Sequence, residues 1–457
     1  MKSASVLLAF VCLVSVVAAQ YWDGPHQLTF SSSDDINPSA CKEFLPGHTT
    51  CLVWQRMTAE NWDIFSRFSD GGWTPEAAVT TDSVDDVNPA VACLNDWQDG
   101  PSYWCVWEHR VSHLVGSIRA SLITLGDSWG PPVDLGPAIH TDGDSAMPGI
   151  ITIKGASADT VWVVWRNHDT SGTYINCAFH AGDSWSSPEI AVMGDLRHAR
   201  LGRSLAQYYA KPMLVWELAG DIWYSIRDSS GWRTPAQVAP SAYEDHDPDI
   251  VSGGGIIDCG TYVVWQSTRD GDTAVYITEQ DSFSVGQRVC EDSAAGRNSS
   301  PVGADFARTT LDYWMCVVAW VSDRNGNPDI YTSEYGDWDV WVDLDSAADL
   351  APVVTSMGDW GSQMAWVLWQ SNRNGNWDIY GSFVYNSGVE ENPKPQASSS
   401  KLAATVARTL PAGAVAFDAT GRRVTNPKSG IYFVRAEPSA ASRQPSAVIL
   451  RKVVIQR

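Results

Sequence analysis

A short apolar run that ends in a tryptophan returns seven times along the chain. In the first copy, Cys51, Leu52 and Val53 lead into Trp54, and the polar Gln55 follows. The seven tryptophans are 49 to 58 residues apart and stand at Trp54, Trp107, Trp165, Trp216, Trp265, Trp320 and Trp369. A repeat of about 50 residues is typical of β-propeller blades. The pattern therefore predicts seven blades, each a small antiparallel sheet.

Each repeat contains four short segments of β character, as the first one shows. Asn37-Pro38 opens the innermost segment, and Thr50–Gln55, Trp62–Phe68 and Trp73–Thr80 form the next three. Proline is tolerated at the first residue of a strand, where its missing N–H is not needed. It returns at this place as Pro89, Pro148, Pro248, Pro301 and Pro352. The fourth repeat departs from the pattern and has His198–Arg203 instead.

The last repeat breaks off after its third segment, near Tyr385. Its missing fourth segment has a counterpart at the start of the chain, because Tyr21–Thr29 matches Gly72–Thr80 of the first repeat. An N-terminal strand that completes the last blade would close the ring and cover its sheet edges. We therefore predict an all-β fold, a seven-bladed β-propeller with N-terminal strand closure, over residues 20–389.

Two kinds of turn sequence carry a resemblance to known propellers. Ser322–Tyr331 (SDRNGNPDIY) and Ser371–Tyr380 (SNRNGNWDIY) resemble the repeat of TolB-like propellers. Ser69–Trp73 and Asp228–Trp232 resemble shortened Asp-boxes of sialidase-type propellers. These motifs are structural in both families, so the resemblance implies a fold rather than an activity.

The chain changes character after a linker at residues 390–400 that is rich in Pro and Ser. Residues 401–457 contain the segments DATGRRV, SGIYFVR and RKVVI in that order. This order resembles the C-terminal (type A) sorting domain that the type IX secretion system reads. The residues at its motif positions are Gly421, Arg422, Gly430, Tyr432 and Lys452.

The resemblance implies a small β-sandwich-like sorting domain and the type IX secretion machinery as a partner. It also implies a protein that is secreted by, or attached to the surface of, a double-membraned bacterium. The alternative is an ordinary small β-domain that packs on the propeller.

The N-terminus has the features of a secretory signal peptide at residues 1–19. Lys2 precedes the apolar run Val6–Val17, and Ala18-Ala19 offers a small-residue cleavage site. This run is too short for a membrane-spanning helix, and no other segment approaches the required length. We expect the mature protein to have no transmembrane segment.

An exported protein can form disulfides, so cysteines on neighbouring predicted strands are candidates for pairing. Cys41/Cys51 and Cys93/Cys105 each flank a short turn between two predicted strands, which predicts two cross-strand disulfides. The pairing of the other cysteines, Cys177, Cys259, Cys290 and Cys316, stays open.

The net charge of the chain argues against one class of binding partner. The 457 residues include 53 acidic and 31 basic side chains, for a net charge of −22. Lys394–Arg457 holds 11 of the basic residues and only two acidic ones, so the propeller itself is still more acidic. Nucleic-acid binding needs basic residues to neutralise phosphates, and this balance argues against it.

Several acidic residues precede the innermost strands. Because the strands of a blade alternate in direction, these loops lie on the same face as the loops between second and third strands. The residues are Asp34, Asp35, Asp85, Asp86, Asp144, Asp247 and Asp349, with Asp142 and Asp245 beside them. One hypothesis is an acidic rim around the channel mouth that binds cations or a basic partner. The other is that each Asp caps its own turn.

One hairpin has the alternating oxygen ligands of a calcium loop. Asp323, Asn325, Asn327 and Asp329 occupy every second position, but the bidentate Glu of an EF-hand is missing. The alternative is a simple hairpin turn at Asn325-Gly326. Calcium is the only cofactor that the sequence points to.

No set of residues assembles a reaction. Glu108 and Glu217, directly after Trp107 and Trp216, replace the usual Gln and are the best carboxylate candidates for glycosidase chemistry. They can equally be variations at a strand end. The sequence therefore favours a binding module for a carbohydrate or protein ligand. The alternatives are a glycoside hydrolase, sialidase-like enzyme or lyase on the same fold, and a surface scaffold protein.

Overall fold

The computed structural model describes residues 22–385 and five strand segments of the C-terminal region. Gaps within 22–385 fall at 43–48, 70–71, 97–99, 154, 156–158, 205–209, 253–260, 281–282, 290–297, 309–312, 335–339, 344 and 358–363. The predicted signal peptide, 1–19, and the predicted linker, 390–400, lie outside the described residues. By contact density the chain divides into two compact units, Met1–Gly388 and Val389–Arg457.

The first unit consists of seven antiparallel sheets. It begins with β1 (Asp23–Gln27). Blade one is β2 (Asp35–Lys42), β3 (Thr50–Met57), β4 (Trp62–Ser69) and β5 (Ala77–Ala78). Blade two is β6 (Asp85–Asp96), β7 (Gly100–Ser112), β8 (Val115–Thr124) and β9 (Val133–Ile139). Blade three is β10 (Gly149–Ile153), β11 (Thr160–Asp169), β12 (Gly172–Ala181), β13 (Ser184–Trp185) and β14 (Glu189–Met193).

The remaining blades follow the same plan. Blade four is β15 (Leu196–Ser204), β16 (Lys211–Leu218), β17 (Asp221–Asp228), β18 (Gly231–Trp232) and β19 (Ala236–Gln237). Blade five is β20 (Asp245–Ser252), β21 (Thr261–Ser267), β22 (Ala274–Glu279) and β23 (Gln287–Arg288). Blade six is β24 (Asn298–Arg308), β25 (Tyr313–Ser322), β26 (Asp329–Glu334) and β27 (Val340–Trp341). Blade seven is β28 (Asp349–Met357), β29 (Met364–Ser371), β30 (Asp378–Tyr385) and the N-terminal β1.

The predicted seven-bladed propeller is confirmed. Each innermost strand contacts the innermost strands of both neighbouring blades, and β28 contacts β2, so the ring is closed. No α-helix occurs among the described residues, and none of these forms a helix long and apolar enough to cross a membrane.

The N-terminal strand closure is confirmed as well. β1 pairs antiparallel with β30, with Gln27 opposite Tyr380 and His26 opposite Gly381. Gly381 allows the close approach, because a Cβ there would lie 2.7 Å from Leu368 and 3.1 Å from Leu28. The indole N–H of Trp22 donates to Thr332 in blade six at 2.9 Å, so the closing strand also ties the last two blades together.

The core lies between the blades. All seven repeat tryptophans are at most 1 % exposed, and each packs among apolar side chains of two successive sheets. Burial of one such side chain contributes about 3 kcal/mol through the hydrophobic effect. The recurrence that identified the repeat is therefore the recurrence of the inter-blade core.

A second repeated feature is a left-handed residue at the start of each innermost strand. One residue per blade has φ between 44° and 54°: Asn37, Asn88, Met147, His198, Asp247, Ser300 and Ala351. In six blades the pairing register slips at this point, as a β-bulge requires. We call these seven residues the bulge ring. The innermost strands line the centre of the closed ring, and we call the end at which these strands begin the channel mouth.

The C-terminal unit contains a five-stranded sheet. Its strands are β31 (Thr405–Ala407), β32 (Val415–Phe417), β33 (Arg423–Val424), β34 (Gly430–Arg435) and β35 (Leu450–Ile455), in the spatial order β31-β35-β34-β32-β33. Of the sorting-motif positions, Gly430 and Tyr432 lie on β34 and Lys452 on β35. Gly421 and Arg422 fall outside the described residues.

Neither predicted disulfide is present, because Cys41, Cys51 and Cys105 are free thiols. Cys41 lies directly opposite Cys51 across the β2–β3 pair, and both side chains are free thiols. Cys93 faces Tyr103, and Cys105 faces Val91, so that pair is out of register. Burial raises the pKa of the Cys41 and Cys51 thiols and keeps them protonated.

Candidate functional site

In blades one, two and seven the residue after the repeat tryptophan accepts a hydrogen bond from a backbone N–H near the bulge ring. Gln370 accepts a hydrogen bond from the backbone N–H of Asn37 at 2.9 Å, and Gln55 accepts one from Asn88 at 2.9 Å. A bulge leaves an N–H without a strand partner, and a buried N–H needs an acceptor. In these blades the position holds a structural acceptor, whereas blades three and six have Arg166 and Val321 there.

Glu108 fills this position in blade two and is fully buried. Arg110 donates to both of its carboxylate oxygens, at 2.7 and 3.0 Å, and His140 Nε2 lies 3.0 Å away. The backbone N–H of Ala146 donates to it at 3.2 Å. Burial alone would raise the pKa of Glu108, but the hydrogen bonds from His140 and Arg110 outweigh it and hold the pKa at about 2. Glu108 is a closed, ionised structural group.

Glu217 fills the same position in blade four but faces two imidazoles. His198 Nδ1 is 3.1 Å from Glu217 Oε2, and His246 Nδ1 is 3.1 Å from Glu217 Oε1. His198 Nδ1 is also 2.9 Å from Asp247 Oδ1. We call His198, Glu217, His246 and Asp247 the His–carboxylate cluster. It joins the bulge residues of blades four and five, His198 and Asp247, to the strand behind them.

The cluster opens to solvent at the mouth, unlike the surroundings of Glu108. The side chains of His198 and Asp247 are 40 % and 32 % exposed, whereas Glu217 is 10 % exposed. Hydrogen bonds to Asp247 and Glu217 raise the pKa of His198 to about 9. The bond from His198 lowers the pKa of Asp247, and the two histidines outweigh burial and lower that of Glu217. The cluster therefore presents ionised groups of both signs.

Several members of the predicted acidic rim are buried instead. Asp35, Asp86 and Asp349 are fully buried and Asp245 is 1 % exposed. Each binds side chains of its own blade. Asp35 accepts from the indole of Trp54 at 2.8 Å, Asp86 from Trp107 at 2.8 Å, Asp245 from Arg269 at 2.9 Å and Asp349 from Arg373 at 3.3 Å. These carboxylates hold side chains of their own blades in place, so they do not form an open rim.

Two further members cap turns. Asp34 Oδ1 accepts the backbone N–H of Trp377 at 3.0 Å, and Asp85 Oδ1 accepts that of Trp62 at 3.0 Å. Asp144 is exposed, accepts the N–H of Ser145 at 2.9 Å and lies 3.6 Å from Arg166. Of the seven predicted rim residues, Asp144 is exposed, and Asp34, Asp85 and Asp247 are half-buried; Asp247 is the one that belongs to the bulge ring.

The predicted calcium hairpin follows β25 and makes hydrogen bonds of its own. Asn325 donates to the Tyr331 hydroxyl, and Asn327 donates to Asp329 Oδ1 at 2.8 Å and to the Ala347 carbonyl at 2.7 Å. Gly326 has φ of 100°, as its turn requires. These hydrogen bonds are donated by the side-chain amide nitrogens of Asn325 and Asn327, as in a hairpin turn. Calcium binding at this hairpin stays a prediction.

A second group of side chains has the spacing of metal ligands, but its contacts hold strands of blade two together. Oxygen or nitrogen atoms of Asp82, Asp86 and His109 lie within 4.8 Å of one another. Asp86 Oδ1 already receives the Trp107 indole N–H and contacts His109 Nδ1, both at 2.8 Å. His109 thus takes the place that Arg56 has beside Asp35 in blade one.

The histidines of the cluster were not among the candidates chosen from the sequence. Their signal was the irregular fourth repeat, in which His198 stands where other repeats have a residue before proline. A second signal was the Asp-His-Asp run at Asp245–Asp247. Neither one indicates by itself that residues 49 positions apart meet.

Comparisons with known proteins give no family. No protein-family model matches the chain, and no curated protein matches it. Solved structures with some likeness include the Penicillium chrysogenum α-L-arabinanase with arabinobiose, at 10 % identity and a TM-score of 0.45, covering 80 % of this chain and all of that one. An ulvan lyase has 11 % identity and a TM-score of 0.49, covering 79 % and 96 %.

A mutant of the Aleuria aurantia lectin with a fucosylated disaccharide has 12 % identity and a TM-score of 0.40, covering 56 % and 78 %. Similarity this low assigns no function to the present chain. Its architecture rests on its own strand pairing.

Proposed function

We propose that this protein is a glycan-binding β-propeller whose ligand binds at the channel mouth beside blades four and five. The observation that carries the proposal is the His–carboxylate cluster. Its ionised side chains are partly exposed, whereas the equivalent carboxylate of blade two is sealed by Arg110 and His140. Polar groups held in place but still open to solvent are what a specific binding site requires.

The chemistry of the mouth suits a ligand rich in hydroxyl groups. The carboxylates of Glu217 and Asp247 accept hydrogen bonds, and protonated His198 donates them. Tyr243, in the loop that leads into β20, is 54 % exposed and lies three residues before His246. An exposed aromatic ring offers a flat apolar surface to the face of a sugar ring.

Binding is favoured over hydrolysis by the protonation states. A glycosidase needs one carboxyl group with a raised pKa to protonate the leaving oxygen. The pKa values of Glu217 and Asp247 are both lowered, so neither carries a proton near neutral pH.

Glycoside cleavage is the second candidate, because one observation favours it. Oxygen atoms of Glu217 and Asp247 lie within 4.8 Å of each other, close to the separation of roughly 5 Å in retaining glycosidases. Turnover of a polysaccharide by the purified protein, abolished in Glu217→Gln, would replace the binding proposal with this one.

A glycan array tests the proposal directly. The full chain, with and without added calcium, is expected to bind a restricted set of saccharides, and Asp247→Asn is expected to lose that binding. Asp127→Asn, in the turn between β8 and β9 on the opposite face, is the matched control and should bind normally. Binding to no saccharide, or equal loss in both variants, would show the proposal to be wrong.

We propose in addition that the chain is exported by the type IX system through residues 401–457. The support is the ordered motif that includes Gly430, Tyr432 and Lys452, together with the signal-peptide pattern at the N-terminus. Deleting Lys401–Arg457 is expected to leave a folded propeller inside the periplasm of the producing bacterium. Normal release of this truncated protein would contradict the sorting role.

A further inference from the structure

The His–carboxylate cluster brings the imidazole of His198 and two carboxylates to one point, with His246 beside Glu217. We propose that His198, Glu217 and Asp247 bind a divalent transition-metal ion of the zinc type. This inference rests on the geometry of the cluster and does not depend on whether a glycan is bound. Because a metal ligand must be an unprotonated nitrogen, the ion would displace the Nδ1 proton that His198 holds in the metal-free protein.

The spacing of the ligand atoms is that of a coordination shell. His198 Nδ1 lies 2.9 Å from Asp247 Oδ1 and 3.1 Å from Glu217 Oε2, and the three ligand atoms lie within 4.8 Å of one another. Zinc holds N and O ligands at about 2.0–2.1 Å, which puts neighbouring ligands roughly 3 Å apart. Small movements of these side chains would therefore suffice to surround an ion.

The contacts of His198 place one nitrogen between two carboxylates. His198 Nδ1 carries at most one proton, yet oxygens of both Glu217 and Asp247 approach it. The second oxygen of Glu217 contacts His246 Nδ1 at 3.1 Å. A metal ion in place of the shared proton of His198 would contact this nitrogen and both carboxylates at once.

The backbone holds two of the ligands toward a common point. His198 and Asp247 are bulge-ring residues of adjacent blades, with φ of 46° and 47°, and their strands β15 and β20 contact each other. A left-handed conformation is unusual for residues other than glycine and persists only where the fold enforces it. Other blades place Asn, Met, Ser or Ala at this position. The fold thus supplies the geometry, and these two blades supply the ligands.

The donor set selects the kind of ion. Calcium and magnesium prefer oxygen ligands, whereas imidazole favours zinc and related transition metals. The half-exposed His198 and Asp247 leave an entry from the channel mouth, so water or a ligand oxygen can complete the shell.

Other groups with carboxylates beside histidine do not share these features. Glu108 is neutralised by Arg110 in two hydrogen bonds, and a fixed guanidinium excludes a second cation. Asp86 receives the indole N–H of Trp107, a donor that a metal would have to displace. Glu108 and Asp86 are both fully buried, whereas His198 and Asp247 of the His–carboxylate cluster are partly exposed.

Isothermal titration of the full chain, stripped with EDTA and titrated with Zn²⁺, tests the proposal. We expect one site per chain and a raised melting temperature with the metal. His198→Ala and Asp247→Asn should each weaken binding by more than about 10-fold, since even altering a hydrogen bond behind a metal ligand costs that much. The matched control is His180→Ala, which removes a histidine packed 5.1 Å from Trp104 in blade three.

Asp247→Asn keeps the size of the side chain, and near-ultraviolet circular dichroism checks that both variants retain the fold. No zinc binding by the wild-type chain, or binding unchanged in both variants, would overturn the proposal. A glycan array on the EDTA-treated protein separates the two ideas. Saccharide binding without zinc affinity removes only the metal site, and zinc affinity without saccharide binding removes only the proposed function.

Discussion

Glu108 and Glu217 occupy the same place in blades two and four, directly after the repeat tryptophan. Glu108 is fully buried between Arg110, His140 and a backbone N–H of the next blade. Glu217 instead contacts His198 and His246 at a half-open mouth. The two sites thus share a backbone and a carboxylate and differ in the cations that face them.

This difference separates a structural role from a candidate functional one. A guanidinium that binds both oxygens of a carboxylate is always charged and leaves no room for another ligand. Imidazoles can give up their protons to another partner, and they also ligate metals. The position in the repeat determines where the carboxylate lies, and the neighbouring residues determine whether it can bind a further ligand.

The largest expected effect is the loss of the sealed carboxylate. Glu108→Gln should lower the free energy of unfolding by about 3 kcal/mol, because it leaves the Arg110 guanidinium without its counter-charge. This value lies at the lower end for a buried pair, since Arg110 is 27 % exposed. Urea denaturation followed by tryptophan fluorescence measures it. A loss below about 1 kcal/mol would mean that Glu108 is no more structural than a surface group.

The same comparison predicts a pH dependence. The pKa of Glu108 falls from 4.5 to about 2 on folding, so the unfolded chain binds the proton first as the pH drops. Its contribution of about 3 kcal/mol is present above pH 5 and is lost as the pH falls toward 2. The stability difference between wild type and Glu108→Gln should shrink over this range in urea titrations. A difference that stays constant from pH 7 to pH 3 would contradict the assignment.

A smaller effect concerns the tryptophans before these carboxylates. Trp107 donates its indole N–H to Asp86 at 2.8 Å, whereas that of Trp216 has no hydrogen-bond partner among the described residues. Blade four has Leu196 where blade two has Asp86. Trp107→Phe should therefore cost about 2 kcal/mol more than Trp216→Phe, although both lose similar volume. Equal melting temperatures for the two variants would remove the distinction between the blades.

The smallest effect on stability is expected for Glu217→Gln. In the metal-free protein the loss should stay below about 1 kcal/mol, because His198 keeps Asp247 as its partner and is partly solvated. Thermal unfolding in EDTA measures it, with Glu108→Gln as the matched comparison. If Glu217→Gln were as destabilising as Glu108→Gln, the cluster would be a second fastening of the ring.

Much of the architecture was predictable because it repeats. The position of Trp54 and its six equivalents predicted the blade count, and the match of Tyr21–Thr29 to the first repeat predicted the closing strand. Apolar periodicity is a local property, and the same inter-blade packing acts on every copy.

The prediction of a disulfide between Cys93 and Cys105 was wrong for the opposite reason. Strand adjacency is local, but the register that separates Cys93 from Cys105 is set by the whole sheet.

The site required more than the repeat. Asp35 and Asp247 appear equivalent in a list of acidic turn residues. In the structure Asp35 is buried against Trp54 and Arg56, whereas Asp247 is half-exposed beside His198. Which acids are buried depends on whether they stand two residues before the bulge or on it, and the sequence alone does not show that the residue before each repeated proline is the bulge.

By itself the sequence determined the number of blades, the position of their core tryptophans and the closure of the ring, since each follows from a pattern with one period. Only the tertiary structure brought His198 and Asp247, 49 residues apart, to within 2.9 Å of each other. The reason is that the contact crosses between two blades. Such contacts depend on how neighbouring sheets stack around the channel, and no single repeat contains that information.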